Sequence, residues 1–380
     1  MMYNREPVFS ILIANYNNGQ YLMDAIRSVQ AQTYRHWEII IVDDGSTDCS
    51  HDLYQQLVRD CHATITTLTD EPLPMPTVEE WTKWAQQAMH DGQVTQDGCA
   101  QHSTLNAQLQ QDGCAQQVMH DGQVTQDGCA QNSTLNAQLQ QDGCAQQATH
   151  DGQVRIYLSP SNHGCGFTKH QCAALAHGEL CGFLDPDDAL TPDALEVMVA
   201  AHRQHPEAAV VGSCYWATDE NLKPMWHTDQ WVYTEGKDYL TDFQHLRPIH
   251  FATYKNERYL QTEGISADIK RAVDMDLYVK LEEQGRIVFL PDITYYYRQH
   301  THQISTHGDF KSMYWEIVVI QKACQRRGLE AEKLINDMMA ARGKYYVENF
   351  LGYPLVPRPK ASCWAKWIGQ VKHLLAKIRK

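Results

Sequence analysis

The segment CGFLDPDDAL, residues 181–190, places three carboxylates directly after a run of apolar residues. The apolar run has the composition of a buried strand, and Asp185, Asp187 and Asp188 follow it. Carboxylates this close together repel one another and are costly to remove from water. The rest of the fold must therefore supply something that stabilises this arrangement.

Two explanations fit the segment by itself. The first is a turn, because Asp-Pro-Asp is favourable turn chemistry and the following Thr191 is suited to act as the N-cap of a helix. The second is a site for Mg²⁺ or Mn²⁺, since clustered carboxylate oxygens are the ligands that these ions prefer.

On either side of this segment, apolar strands alternate with helical patterns, outside a repetitive stretch in the middle of the chain. Continuous runs of Ile, Val and Leu are typical of parallel strands that are covered on both faces. The sequence therefore predicts an α/β fold built on a mostly parallel sheet. Strands are predicted over 9–14, 37–44, 155–161, a segment ending at 185, and 208–216, and helices over 20–32, 51–60, 167–177 and 191–205.

Polar residues follow four of the predicted strands. In parallel sheets, ligands bind beyond the carboxyl ends of the strands. A turn after one strand does not account for all four signals, so we expect one shared ligand site at this edge. The four segments are Asn15–Asn17, Asp43–Ser46, Ser161–Gly164 and Asp185–Asp188.

Composition narrows the class of protein. The length of 380 residues suits one large domain or two smaller ones. A hydrophobic content of 43% is enough to form a core. No apolar run reaches the length of about 18 residues that a membrane-spanning helix needs. Because the first residues lack the pattern of a signal peptide, we expect a cytoplasmic protein with its 12 cysteines free. The net charge of −14 argues against nucleic-acid binding.

A tandem repeat occupies residues 87–153. The hexapeptide QDGCAQ recurs at positions 96, 111, 126 and 141, within a larger unit of 30 residues. Gln, Asp, Gly and Asn dominate, so the segment buries too little apolar surface to offset its ordering entropy. We interpret it as an inserted, largely disordered loop; a small repeat fold or interaction arm is the alternative.

Four segments together resemble the family-two glycosyltransferases with the GT-A fold. The resemblance spans about residues 8–70 and 154–305 and leaves a C-terminal helical region over 306–380. It implies an enzyme that takes a sugar from a nucleoside diphosphate sugar, and we expect this donor to be UDP-linked. The segments are ILIANYNNGQYL, SVQAQTYRHWEIIIVDDGSTD, SNHGCGFTKH and GELCGFLDPDD.

The resemblance also implies which residues hold the donor. Asp185-Pro186-Asp187 stands at the position of the DxD element, with Asp185 near the ribose and Asp187 on a Mn²⁺ or Mg²⁺ ion. His300 aligns with a histidine that meets the metal or the diphosphate, so the expected metal ligands are Asp187, Asp185 and His300. The expected nucleotide-binding residues are Ala14, Asn15, Tyr16, Asp43, Asp44, Lys169 and Asp185.

The segment 257–285 resembles the acceptor side of the same family. Asp274 takes the position of the catalytic base, although Val273 replaces the more common Glu before it. An inverting transfer needs one carboxylate to remove the proton of the acceptor hydroxyl. Asp276 is the alternative base.

Other sequence features exclude some classes of glycosyltransferase but do not identify the substrate. The absence of a QxxRW motif argues against a processive polysaccharide synthase. Trp216, Trp226 and Trp231 are candidates for stacking on a sugar, although packing is the more common role of tryptophan. A sugar-1-phosphate nucleotidylyltransferase and an inactive nucleotide-sugar-binding relative are the alternatives. The sequence leaves both the sugar and the acceptor open, the acceptor being a saccharide or a lipid-linked molecule.

The basic C-terminus has two interpretations. In ASCWAKWIGQVKHLLAKIRK, residues 361–380, Trp, Ile, Val and Leu side chains recur at helical spacing and lysines flank them. Such a helix docks on the domain, or it lies in the inner surface of the cytoplasmic membrane with its lysines on anionic lipid.

The interpretation of the repeat predicts the outcome of a deletion. Because surface loops tolerate changes of length, removing residues 87–151 should leave a folded protein with a similar melting temperature. Circular dichroism and thermal unfolding of the deletion variant measure this. An insoluble or unfolded variant would show that the repeat belongs to the fold.

Overall fold

The computed structural model describes residues 6–84, 152–228, 238–241, 250–301 and 310–345. Nearly all of the tandem repeat and the whole basic tail lie outside these ranges. The disordered insert and the amphipathic tail helix therefore stay predictions, as do any roles of Trp231 and of the residues between 302 and 309.

Strands and helices alternate through the first half of the chain, as predicted. The strands are β1 (Phe9–Asn15), β2 (Trp37–Asp43), β3 (Thr64–Thr67), β4 (Gln153–Leu158), β5 (Leu180–Phe183), β6 (Ala189–Leu190), β7 (Ala208–Thr218), β8 (Pro224–His227), β9 (Thr253–Lys255) and β10 (Arg286–Arg298). The helices are α1 (Gly19–Gln30), α2 (Ser50–Cys61), α3 (described over 78–84), α4 (Cys165–Ala174), α5 (Ala194–Gln204), α6 (Asn256–Tyr259), α7 (Val273–Glu282), α8 (Phe310–Arg327) and α9 (Ala331–Tyr345).

The strands of the described ranges form one sheet in the order β3-β4-β2-β1-β5-β9-β7-β10-β6, with β8 added beside β7. Strands β3, β4, β2, β1 and β5 are parallel, and β10 is parallel to β7. Strand β9 is antiparallel to both β5 and β7, so these two strands run in the same direction. The predicted α/β fold with a mostly parallel sheet is confirmed.

The core lies where the sequence is most apolar. Every residue of β2 is buried, and so are Leu22, Ala25, Ile26 and Val29 on one side of α1. Their spacing of three and four residues places them on one helix face. Burying an aliphatic side chain fully stabilises the fold by about 1.5–3 kcal/mol, so this packing fixes the strands whose ends form the site.

The helix expected to begin after Thr191 begins later, at Ala194. Residues Ala189–Leu190 pair with β10, and the Thr191 amide donates to the Thr294 carbonyl, which continues that pairing. The Thr191 hydroxyl donates to Asp193 Oδ1 at 2.9 Å rather than capping the helix. The prediction of Thr191 as N-cap is therefore wrong, because sheet pairing holds this residue outside the helix.

Residues 330–380 form a second compact unit, of which only helix α9 is described. Within the described ranges, no helix combines the length and the apolar character that crossing a membrane requires.

A buried ion pair secures the loop in front of α7. Lys280 Nζ lies 2.8 Å from Asp276 Oδ2 and also donates to the Gly264 carbonyl and the Ser266 hydroxyl. Asp276 in turn accepts the Ser266 amide at 2.9 Å. Both side chains of the pair are at most 2% exposed. Asp276, the alternative candidate for the base, is thus enclosed and inaccessible to solvent.

Breaking this pair should destabilise the protein strongly. Lys280→Met leaves the Asp276 carboxylate buried without its cation, which should lower the free energy of unfolding by about 3–5 kcal/mol. Urea unfolding measures the change. The matched control is Lys322→Met, which removes the exposed pair with Asp268 and should cost less than about 1 kcal/mol. Equal losses in the two variants would contradict this account.

Candidate active site

The polar strand ends meet at one edge of the sheet. Asn15 pairs with Asp43, and Asp43 pairs with Leu158, just before the Ser161 loop. Strand β5 continues into Asp185, and β10 ends at Arg298 beside the end of β7. The parallel registers therefore bring together the four polar segments that the sequence analysis singled out.

Asn15 and Asp43 form a buried hydrogen-bond network below this edge. Asn15 Nδ2 donates to Asp43 Oδ2 at 3.0 Å and to the Tyr54 hydroxyl at 2.8 Å. Asp43 also accepts the Tyr54 hydroxyl at 2.6 Å and the Ser46 amide at 2.8 Å. Both side chains are fully buried. The expectation that the Asp43 carboxylate contacts a nucleotide is therefore corrected: this side chain ties β1, β2 and α2 together.

Asp44 joins the end of β2 to the loop before α4. Its carboxylate accepts the backbone amides of His163 at 2.9 Å and Gly164 at 2.8 Å. Gly164 has φ +96°, a conformation that favours glycine. A further hydrogen bond to Asp44 remains compatible with its four lone pairs, although the residue is only 2% exposed. Nearby, Tyr16 is 47% exposed and Ala14 is half-buried.

Lys169 lies at the centre of the acid cluster. Its Nζ is 2.8 Å from Asp274 Oδ1 and 3.4 Å from Asp185 Oδ1. The Lys169 side chain is 7% exposed, whereas Asp274 keeps 51% and Asp185 keeps 38% of their side chains accessible. A buried ammonium group thus lies against two accessible carboxylates, which reduces their mutual repulsion.

The charges of this group influence one another. Partial removal from water would by itself raise the pKa of Asp274, but the charge and hydrogen bond of Lys169 lower it below its ordinary value. Burial raises the pKa of Asp185, despite Lys169, and the nearby Asp274 and Asp187 add to this effect. Although burial disfavours the charged ammonium, Asp185 and Asp274 hold the pKa of Lys169 well above its usual range. Asp274 is therefore the more readily ionised of the two acids.

A glycine allows Lys169 to reach Asp274. At Gly166, in the first turn of α4, a Cβ atom would lie 1.9 Å from the Ile269 carbonyl oxygen. Only a residue without a side chain permits this approach between α4 and the loop that leads to α7. Asp274 stands in the first turn of α7, where the helix dipole favours a negative charge.

Asp187 and His300 form a second polar pair at the same edge. His300 Nε2 lies 2.9 Å from Asp187 Oδ2, and the His300 ring lies 4.8 Å from that of Tyr21. Two of the three expected metal ligands, Asp187 and His300, thus contact each other, whereas Asp185 is paired with Lys169. No group of three or more His, Cys, Asp or Glu side chains is arranged as a metal site in the part of the chain that the structure describes.

The third acid of the opening segment has a structural role. Asp188 is 1% exposed and accepts the Tyr295 hydroxyl and the Arg298 amide, each at 2.8 Å. Burial, together with Asp187 and Asp185, raises the pKa of Asp188 well above its usual range. The Asp188 amide donates to the Asp185 carbonyl at 3.1 Å, so the segment does form a turn.

The sequence analysis missed two residues of this region. Arg298 is 1% exposed, donates to the Asp187 carbonyl at 2.6 Å and pairs with Asp24 of α1 at 2.8 Å. It thereby holds the turn against α1. His250 is half-buried, and its ring stacks on Tyr295 at 5.0 Å. Arg298 was detectable as a charge at the end of an aromatic strand, whereas nothing local distinguishes His250 from the other histidines.

The chain matches the model of "Glycosyl transferase family 2" over residues 10–69 and 132–261. It is 46% identical over 55 residues to the putative teichuronic acid biosynthesis glycosyltransferase TuaG of Bacillus subtilis (14% of this chain, 22% of TuaG). It is 30% identical over 144 residues to chondroitin synthase of Escherichia coli (37% of this chain, 20% of the synthase). The matched segments therefore span about a fifth of each of these relatives.

Solved structures of S. aureus TarS share the fold. The 1–349 fragment in complex with UDP-GlcNAc has a TM-score of 0.53 at 14% identity, over 90% of this chain and 74% of that one. The complex of the same fragment with UDP has a TM-score of 0.51 at 14% identity, over 95% of this chain and 78% of that one. The fold is therefore similar to that of GT-A glycosyltransferases such as TarS. Because the family model matches half of its residues, the chain belongs to glycosyl transferase family 2.

Proposed function

We propose that the chain transfers a sugar from a UDP-linked nucleoside diphosphate sugar to an acceptor hydroxyl with inversion at the anomeric carbon. The observation that carries this proposal is the accessible Asp274 carboxylate, held 2.8 Å from buried Lys169 beside Asp185. One ionised carboxylate open to solvent, at the carboxyl edge of a parallel sheet, suits the base of a single displacement.

Asp274 acts as the general base in this mechanism. Its carboxylate takes the proton of the acceptor hydroxyl while that oxygen forms a bond to the anomeric carbon. The bond between that carbon and the diphosphate oxygen breaks on the opposite side, which inverts the configuration. Lys169 lowers the pKa of Asp274, so the base is ionised before the acceptor arrives.

The donor lies along the strand ends in this proposal. The nucleobase is surrounded by the backbone of Ala14 and Asn15, the exposed Tyr16 and the Asp44 carboxylate. Asp185 faces the ribose. The support for a uridine nucleotide is the shared fold of the TarS fragment, whose structures contain UDP or UDP-GlcNAc. Lys169 places a positive charge near the nucleotide and the carboxylates.

The residues present fit a divalent cation whose coordination is completed by oxygens of the substrate. Mg²⁺ and Mn²⁺ are commonly held by one or two carboxylates together with substrate phosphate oxygens and water. Asp187 and His300, with Asp185 beside them, would hold such an ion. The ion would offset the negative charge that grows on the departing diphosphate.

The competing functions have less support. A nucleotidylyltransferase is expected to carry a Gly-rich, basic loop after its first strand, whereas Asn17-Asn18-Gly19 follows β1 here. An inactive relative has no need for an accessible carboxylate beside a buried lysine. We also propose a non-processive enzyme with a saccharide or lipid-linked acceptor, and a peripheral membrane contact through the basic tail.

Replacing the base tests the proposed function. Asp274→Asn is nearly isosteric, so it should preserve binding of UDP-GlcNAc while lowering transfer by about a hundredfold or more, the contribution of a general base. Calorimetry measures binding, and release of UDP measures turnover. Asp268→Asn, which removes an exposed carboxylate from the Lys322 pair, is the matched control and should leave turnover unchanged. Normal turnover in Asp274→Asn would place the base elsewhere.

The ion pair predicts a pH dependence. Asp274 is active when ionised, and its lowered pKa keeps it ionised into acidic solution. Activity should therefore be lost only as the pH falls through this lowered pKa. Lys169→Met removes the positive charge and should move the acid limb of kcat/KM to higher pH, whereas Lys169→Arg should keep it nearly in place.

The position of the acid limb is measured separately from the height of the profile, which falls in any variant that binds the donor less well. An acid limb at the same pH in Lys169→Met and the native protein would show that Lys169 does not tune the base.

A further inference from the structure

An aromatic surface adjoins the acid cluster. The pairing of Ala217 with Trp226 and of Ala217 with Tyr297 places both aromatic residues on the face of the sheet that also carries Tyr215. Trp216 is turned to the opposite face, where it contacts His227. We call the group formed by Tyr215, Trp226, His250 and Tyr297 the aromatic shelf.

The rings of the shelf contact one another, and the Trp226 ring is exposed. Ring centroids are 6.1 Å apart for Tyr215 and Trp226, 5.4 Å for Tyr215 and His250, and 5.2 Å for His250 and Tyr297. Trp226 is 50% exposed, and the other three residues are half-buried. An exposed group of large apolar side chains beside a polar site is typical of a binding surface.

Tyr295 connects the shelf to the acids. The His250 ring stacks on Tyr295 with an interplanar angle of 22°. The Tyr295 hydroxyl accepts the Asp185 amide at 3.3 Å and donates to Asp188 at 2.8 Å. His250 is also close enough to Asp274 for their charges to interact. One aromatic ring thus separates the shelf from the carboxylates of the proposed active site.

The chemistry of the shelf fits a sugar ring. A pyranose presents an apolar face of C–H groups, which packs on an aromatic ring, and hydroxyls at its rim, which bond to tyrosine and histidine. None of the four shelf residues carries the fixed positive charge that a phosphate group would favour.

We propose that the aromatic shelf is the acceptor subsite and that it binds a pyranose ring of a saccharide acceptor, with Trp226 as the main stacking residue. This inference rests on the proposed function, since it places the ring beside the base Asp274. It selects the saccharide from the acceptor classes that the sequence left open.

Saturation-transfer NMR on the full chain with UDP present tests the shelf. The probes are methyl β-glucopyranoside and methyl N-acetyl-β-glucosaminide. The native protein should saturate the protons of one face of the pyranose more than those of the other. Trp226→Ala should weaken binding of the probes about tenfold, the loss expected for one aromatic stacking contact, whereas Trp226→Tyr should retain most of it.

Two controls separate the shelf from general effects. Trp84→Ala removes a tryptophan that is 38% exposed and contacts the His177 ring, away from the carboxyl edge, so it should leave probe binding unchanged. Binding of UDP should be equal in all variants, because no shelf residue contacts the proposed nucleotide site. Failure of the native protein to bind UDP would contradict the proposed function itself.

The shelf proposal is overturned in any of three cases. In the first, the native protein binds UDP but neither glycoside. In the second, Trp226→Ala binds both glycosides as well as the native protein does. In the third, octyl glucoside binds the shelf and the methyl glycosides do not, which would assign the surface to the lipid portion of an acceptor.

Discussion

The buried ammonium group of Lys169 is the interaction on which the arrangement of the site depends. Asp185 ends strand β5, and Asp274 begins helix α7, so the two carboxylates come from distant parts of the chain. Lys169 is the cation that lies within 3.4 Å of both. The cost of burying a charge is offset only because both partners are present. The same contact leaves both carboxylates partly accessible to solvent.

Several local contacts hold the elements that place Lys169 in this position. The amides of His163 and Gly164 are held by Asp44, which fixes the start of α4 relative to β2. Gly166 lets α4 approach the loop that contains Ile269, and the Asp276–Lys280 pair holds the neighbouring end of that loop. The buried polar groups in this region thus use their hydrogen bonds to hold α4 and the neighbouring loop in place.

A second support lies on the opposite side of the turn. Arg298 connects the Asp187 carbonyl to Asp24, and its guanidinium lies 4.6 Å from the centre of the Tyr21 ring. Tyr21 also contacts His300, which is paired with Asp187. The residues proposed for the cation are therefore braced by α1 and β10, and the aromatic shelf extends from the same strand. This continuity places the donor and acceptor sides of the proposed reaction along one edge of the sheet.

The sequence by itself determined the α/β class, the parallel strands of the first half and the edge at which polar residues gather, because hydrophobic periodicity and strand ends are local properties. It also singled out Asp185, Asp187, Lys169 and Asp274. Only the tertiary structure decided which acids stay accessible: Asp43, Asp188 and Asp276 are chemically equal to their neighbours but are buried. Asp188, for example, is bonded to Arg298, 110 residues away. Burial depends on such long-range packing, which no local pattern encodes.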